Sequence, residues 1–181
     1  MDTAGHVTVL EAGWGGGAAL FGVFGATAMW FPKMFGRLMN ETLGKLHFWF
    51  TFVTYYGTFF PMHYIGLAGH MRRIYDPYQY PFLKHLQGLN QFVTISALIL
   101  GASQILFFIN FFWSAFKGQK ASENPWEANG LEWTTASPPP HGNWPGAIPE
   151  VHRWPYEYGN PAAPGDHVMQ HEPPLAVEAG H

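Results

Sequence analysis

The sequence predicts an all-α membrane protein: three transmembrane helices over 1–116, followed by an irregular Pro-rich tail over 117–181. Two observations carry this. No Asp, Glu, Lys or Arg occurs in Trp14–Phe31, Phe48–Ala68 or Leu89–Phe116, and each run approaches or exceeds the ~20 residues that cross a bilayer. From Lys117 onward the chain then holds eleven of its fifteen prolines, which rules out long regular structure there. Mean hydropathy is near zero only because apolar blocks and a polar tail average out. The alternative, three core helices of a water-soluble domain, fails because three uncharged runs leave too little amphipathic sequence to cover such a core.

The first helix is expected over Trp14–Phe31. It is rich in Gly and Ala (Gly15, Gly16, Gly17, Ala18, Ala19, Gly22, Gly25, Ala26), a composition weak for a lone helix but suited to close approach by neighbouring helices in lipid. Pro32 follows, and Gly36, Asn40 and Gly44 mark a tight hairpin carrying Lys33, Arg37 and Lys45. The second helix is expected over His47–Ala68, bent near Pro61. His47 and His63 within it must face protein rather than lipid. The third, Leu89–Phe116, carries Asn90, Gln91, Ser96, Ser103, Gln104 and Asn110 on a face suited to helix contacts, and ends on the aromatic cluster FFINFFW, typical of a membrane interface. The tail reads as an extended arm, with Trp126, Trp133 and Trp144 as large anchors whose burial costs little side-chain entropy. The N-terminus lacks a basic start and a small-residue cleavage site, so the first apolar block is expected to be retained.

Lys33, Arg37, Lys45, Lys117 and Lys120 flank the helices on one side and Arg72, Arg73 and Lys84 on the other. The positive-inside bias therefore predicts a cytoplasmic hairpin and tail, and an outer N-terminus. A formal net charge of -3 gives no support for nucleic-acid binding. The absence of cysteine excludes disulfides, thiolate zinc sites and iron-sulfur clusters.

Arg72 and Arg73 end the second apolar block, where adjacent guanidinium groups can leave the hydrocarbon and still pair with a buried anion; on composition alone, interfacial snorkelling is the commoner role. His47 and His63 read as packing or hydrogen-bonding groups, and Thr51, Thr54, Tyr55, Tyr56 and Thr58 as bridges between helices. The tail histidines His141, His152, His167, His171 and His181 match no compact ligand spacing. No residue is assigned as catalytic or as a metal ligand.

The stretch FPKMFGRLMNETLGKLHFWFTFVTYYGTFFPMHYIGLAGHMRR resembles the last third of subunit I of the haem-copper terminal oxidases, from the end of the tenth membrane helix through the eleventh. The run from Leu20 to Arg37 and the segment ENPWEANGLEWTTASPPPHGNW after the third helix are similar to the same family, so the resemblance runs from about Leu20 to Tyr158. It implies that Gly69–Arg73, GHMRR, corresponds to a Gly-Met-Pro-Arg-Arg element, with His70 and Met71 in place of the usual Met and Pro. On that implication Arg72 and Arg73 bind haem propionates without ligating iron. The family's iron-ligating His-x-His element has no counterpart in Val9–Trp14, and its copper histidines lie on helices this chain does not contain.

The resemblance thus implies a C-terminal piece of a cytochrome c oxidase subunit I that works with a partner chain carrying the other helices and the haem and copper ligands. Further oxidase subunits, cytochrome c or a related electron donor, and the lipid bilayer of a bacterial cytoplasmic membrane complete the implied setting. Three alternatives stand beside it. One is a non-catalytic accessory or assembly subunit of a respiratory oxidase. A small channel would need more intramembrane ionisable groups than His47 and His63, and a nitric oxide reductase relative fits the Arg pair and tail less well.

Overall fold

The computed structural model describes residues 16–71, 73–159, 165 and 167–173. Three long helices dominate: α1 (Gly16–Phe35), α2 (Glu41–Leu67) and α3 (Gln87–Lys117). Short 3-10 turns occupy Pro77–Gln79, Pro81–Leu86 and Leu131–Thr134. Among the described residues there is no strand, only an isolated antiparallel bridge between Arg37 and Lys120.

Two helix boundaries depart from the sequence expectation, each for a local reason. α1 continues through Pro32 and Lys33 to Phe35, where Gly36, at φ +65°, turns the chain into the left-handed region and donates its N–H to the Pro32 carbonyl at 2.7 Å. This is the usual glycine stop, and a proline in the last turn forfeits only one intrahelical bond. α2 starts six residues before His47. The Asn40 side chain accepts from Leu43 N at 3.0 Å, satisfying one of the free donors of the first turn. Lys45 then pairs with Glu41 at 2.6 Å in an i,i+4 arrangement. α2 runs unbroken across Pro61.

By length and composition two helical stretches can cross a membrane, Gly16–Phe35 and Pro81–Lys117, and few of their residues are buried. α2 is long enough at 27 residues, but its threonines, tyrosines, histidines and tryptophan make it less apolar. Its buried residues are His47, Thr51, Thr54, Thr58, Pro61 and Ile65, with Tyr55 alongside. They recur every three or four positions and so form one stripe. That stripe is polar and the open side is aromatic, the reverse of a helix in a water-soluble core.

The chain divides into two compact units, the first Met1–Ala26 with Asn40–Trp113 and the second Thr27–Met39 with Ser114–His181. In the first, α1 meets α2 through Phe21, edge-on to Phe48, Phe52 and Tyr55 at 5.8, 6.2 and 6.0 Å. Gly17 is required at that contact, since a Cβ there would lie 2.7 Å from the Tyr55 hydroxyl oxygen. α2 and α3 are joined by side-chain hydrogen bonds. His47 Nε2 donates to Gln104 Oε1 at 3.2 Å, Thr51 and Ser103 share a bond of 3.2 Å, and Gln104 Nε2 donates to Thr51 Oγ1 at 3.3 Å and Ser103 Oγ at 2.9 Å. Near the start of α2, Asn110 Oδ1 accepts from Asn40 N at 3.1 Å while Asn110 Nδ2 donates to Asn40 O at 3.0 Å.

In the second unit the tail closes on itself and on the last turns of α1. Lys33, 8% exposed, donates to the carbonyls of Thr135 (2.6 Å) and Glu123 (3.2 Å) and lies 5.2 Å from the centre of the Trp133 ring, within cation-π range. Trp126 Nε1 donates to Met29 O at 2.8 Å, and Arg37 Nη1 to Gly118 O at 2.6 Å. Leu38 N donates to Gln119 O at 2.8 Å and Ala121 N to Gly36 O at 3.0 Å. Farther along, the fully buried Asn129 donates to Glu157 O at 3.2 Å and accepts from Val168 N at 3.1 Å. Of Trp126, Trp133 and Trp144 only Trp133 is buried; Trp144 donates to Thr134 Oγ1 at 3.0 Å, and Trp126 is exposed.

Candidate functional site

Of the arginine pair singled out from sequence, Arg73 lies just beyond the end of α2. The helix closes with two interlocked main-chain bonds, His70 N to Ile65 O at 3.1 Å and Gly69 N to Gly66 O at 3.0 Å, with Gly69 at φ +92°. This is a Schellman motif, in which a glycine supplies the left-handed residue that reverses the chain. The His70 ring then donates from Nδ1 to the Met71 carbonyl at 3.0 Å, a bond available because His70 stands where the resembling turn has Met. Arg73 follows, exposed, at φ +64°, and it makes no ion pair among the described residues. Its guanidinium is therefore a free fork of donors at the end of an apolar helix, suited to a carboxylate. Arg72 lies outside the described residues, as do the positions Val9–Trp14 where the iron ligands were expected to be missing.

Between α1 and α2 lies an open groove of about 260 Å³, lined by Gly17, Phe21, Phe52, Tyr55 and Phe59, with Tyr56 and His63 on its wall. His63 is half-buried. His47, by contrast, is fully committed: Nε2 to Gln104, and the ring packed against Phe24 at 4.7 Å and Phe107 at 5.3 Å. Among the described residues no three His, Asp or Glu side chains gather as a metal site. Unlike His47, the His63 ring at this groove has no hydrogen-bond partner among the described residues.

The place of Arg73 at the end of an apolar helix was legible from its sequence. The groove was not, because it depends on Gly17 and Phe21 of one helix lying against Tyr55 of another, a pairing no local pattern announces. Apolar helices cross-linked by buried polar side chains, with a cationic turn at one helix end, define a helical protein with two stretches long and apolar enough to cross a membrane.

Residues 13–102 match the family of Cytochrome C and Quinol oxidase polypeptide I. The chain is 45% identical over 161 residues to the alternative cytochrome c oxidase subunit 1 of Bradyrhizobium diazoefficiens, covering 88% of this chain and 27% of that protein. It is 48% identical over 145 residues to cytochrome c oxidase subunit 1 of Synechocystis, covering 79% and 25%. The corresponding Bacillus subtilis subunit is 39% identical over 132 residues, covering 71% and 20%. The chain belongs to the cytochrome c and quinol oxidase polypeptide I family, and it spans about a quarter of the length of the relatives it matches.

Proposed function

We propose that this chain is the C-terminal part of a terminal oxidase subunit I, acting in aerobic respiration with the remaining helices of that subunit to reduce dioxygen with electrons from cytochrome c or a related donor. The observation that supports this most directly is the partial coverage: similarity of 45–48% extends over most of the chain yet reaches only 25–27% of each of these relatives. On this reading α1, α2 and α3 all span a bacterial cytoplasmic membrane. α2 is accepted as the third span because its polar groups are turned inward and bonded, which is how a helix of modest hydropathy tolerates lipid. The basic residues orient the α1–α2 turn and the tail toward the cytoplasm.

Arg72 and Arg73 pair with haem propionates while the iron and copper ligands come from elsewhere in the subunit. The haem, when bound, supplies the electron-transfer chemistry; this chain's part is to neutralise its carboxylates and hold α2 in register through the Gly69 turn. Replacing both arginines by Leu is expected to shift the haem midpoint potentials and slow turnover of the assembled complex. Unchanged potentials would return the pair to setting topology.

A non-catalytic accessory subunit is the second reading, favoured by the lack of any histidine from Val9 to Trp14. Purification in mild detergent separates the two. Co-purifying subunit I helices that lack this stretch support the first reading, and a full-length subunit I supports the second.

A further inference from the structure

The tail carries a reactive pair that a role in an oxidase does not explain. Of the chain's seven asparagines only Asn129 is followed by glycine. The backbone nitrogen of the next residue can attack an asparagine amide, and glycine, with no side chain, obstructs that approach least. The main chain does not demand glycine at 130, since φ −58° and ψ 146° suit any L-residue. The nearest atoms a Cβ would meet there belong to the exposed Glu132 side chain, with Oε2 at 2.5 Å.

The fold around the pair opposes the attack. Asn129 is fully buried and each of its polar groups is held. Nδ2 donates to Glu157 O at 3.2 Å and Oδ1 accepts from Val168 N at 3.1 Å. The main-chain N–H donates to the Tyr158 hydroxyl at 3.4 Å, and the carbonyl accepts from Gln170 N at 3.3 Å. On the other flank Leu131 N donates to Gln170 Oε1 at 2.8 Å and Gly130 O accepts from Trp133 N at 3.0 Å. Expelling Nδ2 breaks the bond to Glu157, and a fully buried amide gives hydroxide no access.

We propose that Asn129–Gly130 is a deamidation site governed by tail closure: protected while the segment 157–170 is folded over it, reactive when that segment is open, and once converted unable to be covered again. In the open tail hydroxide removes the Gly130 amide proton, and the nitrogen forms a bond to Asn129 Cγ. The Cγ–Nδ2 bond breaks, and Nδ2 leaves as ammonia after taking a proton from water, which returns the hydroxide. The five-membered imide then adds water at either carbonyl to give aspartate or isoaspartate, with no oxidant or reductant involved. Neither product fits the closed tail. A carboxylate has no hydrogen to give Glu157 O and sets acceptor against acceptor away from water. Isoaspartate also lengthens the main chain by a methylene between bonds that hold both flanks. The conversion runs one way, so it marks tails that stayed open.

The full chain in mild detergent is held in mildly alkaline buffer with and without denaturant, and the peptide bearing residue 129 is followed by mass spectrometry and an isoaspartate assay. Modification of a transiently opened segment tracks its open population, so conversion in the closed tail is expected to run about a hundredfold or more slower than in denaturant. Gly130→Ala should slow conversion in denaturant several-fold and leave the tail resistant to protease. Native samples warmed until part has converted are then cut by limited proteolysis. The converted form is expected in the cleaved fraction and asparagine in the resistant one. Equal rates with and without denaturant would overturn protection by the fold. An equal share of converted residue in resistant and cleaved tails would overturn the one-way character, and conversion that Gly130→Ala does not slow would overturn the site.

Discussion

The α2–α3 pair and the tail solve the same problem, the satisfaction of polar groups away from water, by opposite means. Away from their ends the helices bond their main-chain groups within their own element, so what remains to be paired there is largely side chain to side chain: His47 with Gln104, Thr51 with Ser103. In the tail, prolines and turns leave main-chain carbonyls without a regular ladder, and side chains from distant positions reach in to serve them. Lys33 serves two, and Arg153 serves the carbonyls of Glu172 and Pro173 at 3.2 and 3.1 Å. The contrast teaches that a single substitution should cost more in the tail than between the helices. A buried carbonyl stripped of its donor has no alternative partner, whereas two helices that lose a bond keep their backbones intact.

Asn129→Ala should show the largest effect. It removes bonds to Glu157 O and Val168 N from a fully buried position and is expected to destabilise the tail by about 2–3 kcal/mol. Limited proteolysis should then cut between 129 and 170 while α2 and α3 stay protected; an uncut tail would refute the idea that this one side chain holds it. Lys33→Met should follow at about 1–2 kcal/mol, since two carbonyls lose their donor and the Trp133 ring loses the cation over it. Hydrogen exchange in the segment 123–135 is expected to accelerate without change at 47–58.

Gln104→Leu tests the other side of the comparison. It deletes the acceptor for His47 and the donor to Thr51 and Ser103, yet interhelical polar bonds in membranes average only about 0.6 kcal/mol, so a loss below ~2 kcal/mol is expected in a detergent unfolding titration. A larger loss than that of Asn129→Ala would invert the comparison.

Glu41 should give the smallest effect. The hydrogen bond from Lys45, and then its charge, hold the exposed Glu41 carboxyl below its ordinary value. A lowered carboxylate pKa contributes stability above the unfolded-state value and loses it as pH falls through the folded one. Exchange at Leu43 N should therefore be slower than in Glu41→Gln at neutral pH, and the two should converge once acid has protonated the carboxylate.

Much of this architecture was legible in the residues themselves. Long uncharged runs located all three helices, and the Gly69–Arg73 turn was visible as a pattern before its geometry was known. The boundaries are harder to read because a charged residue ends an uncharged run without ending a helix. Lys33 is inside α1, and what makes that tolerable is a pair of carbonyls 90 and 102 residues away, which no window along the chain contains. The start of α2 was readable in principle, since Asn40, Glu41 and Lys45 make an N-cap and an i,i+4 pair, but the polar turn masked it. The tail's packing depends on bonds such as Asn129 with Val168, so composition showed what the segment could not form without showing what it does form.

The short bridge between Arg37 and Lys120 has a consequence for the order of events during synthesis. Residues just before α2 are paired with residues just after α3, so everything between them is an excursion that leaves and returns at one neck. A ribosome delivers the first side of that neck long before the second. The segment just after α1, with Gly36, Arg37 and Leu38 awaiting Gly118, Gln119 and Ala121, remains open until both later helices have been made.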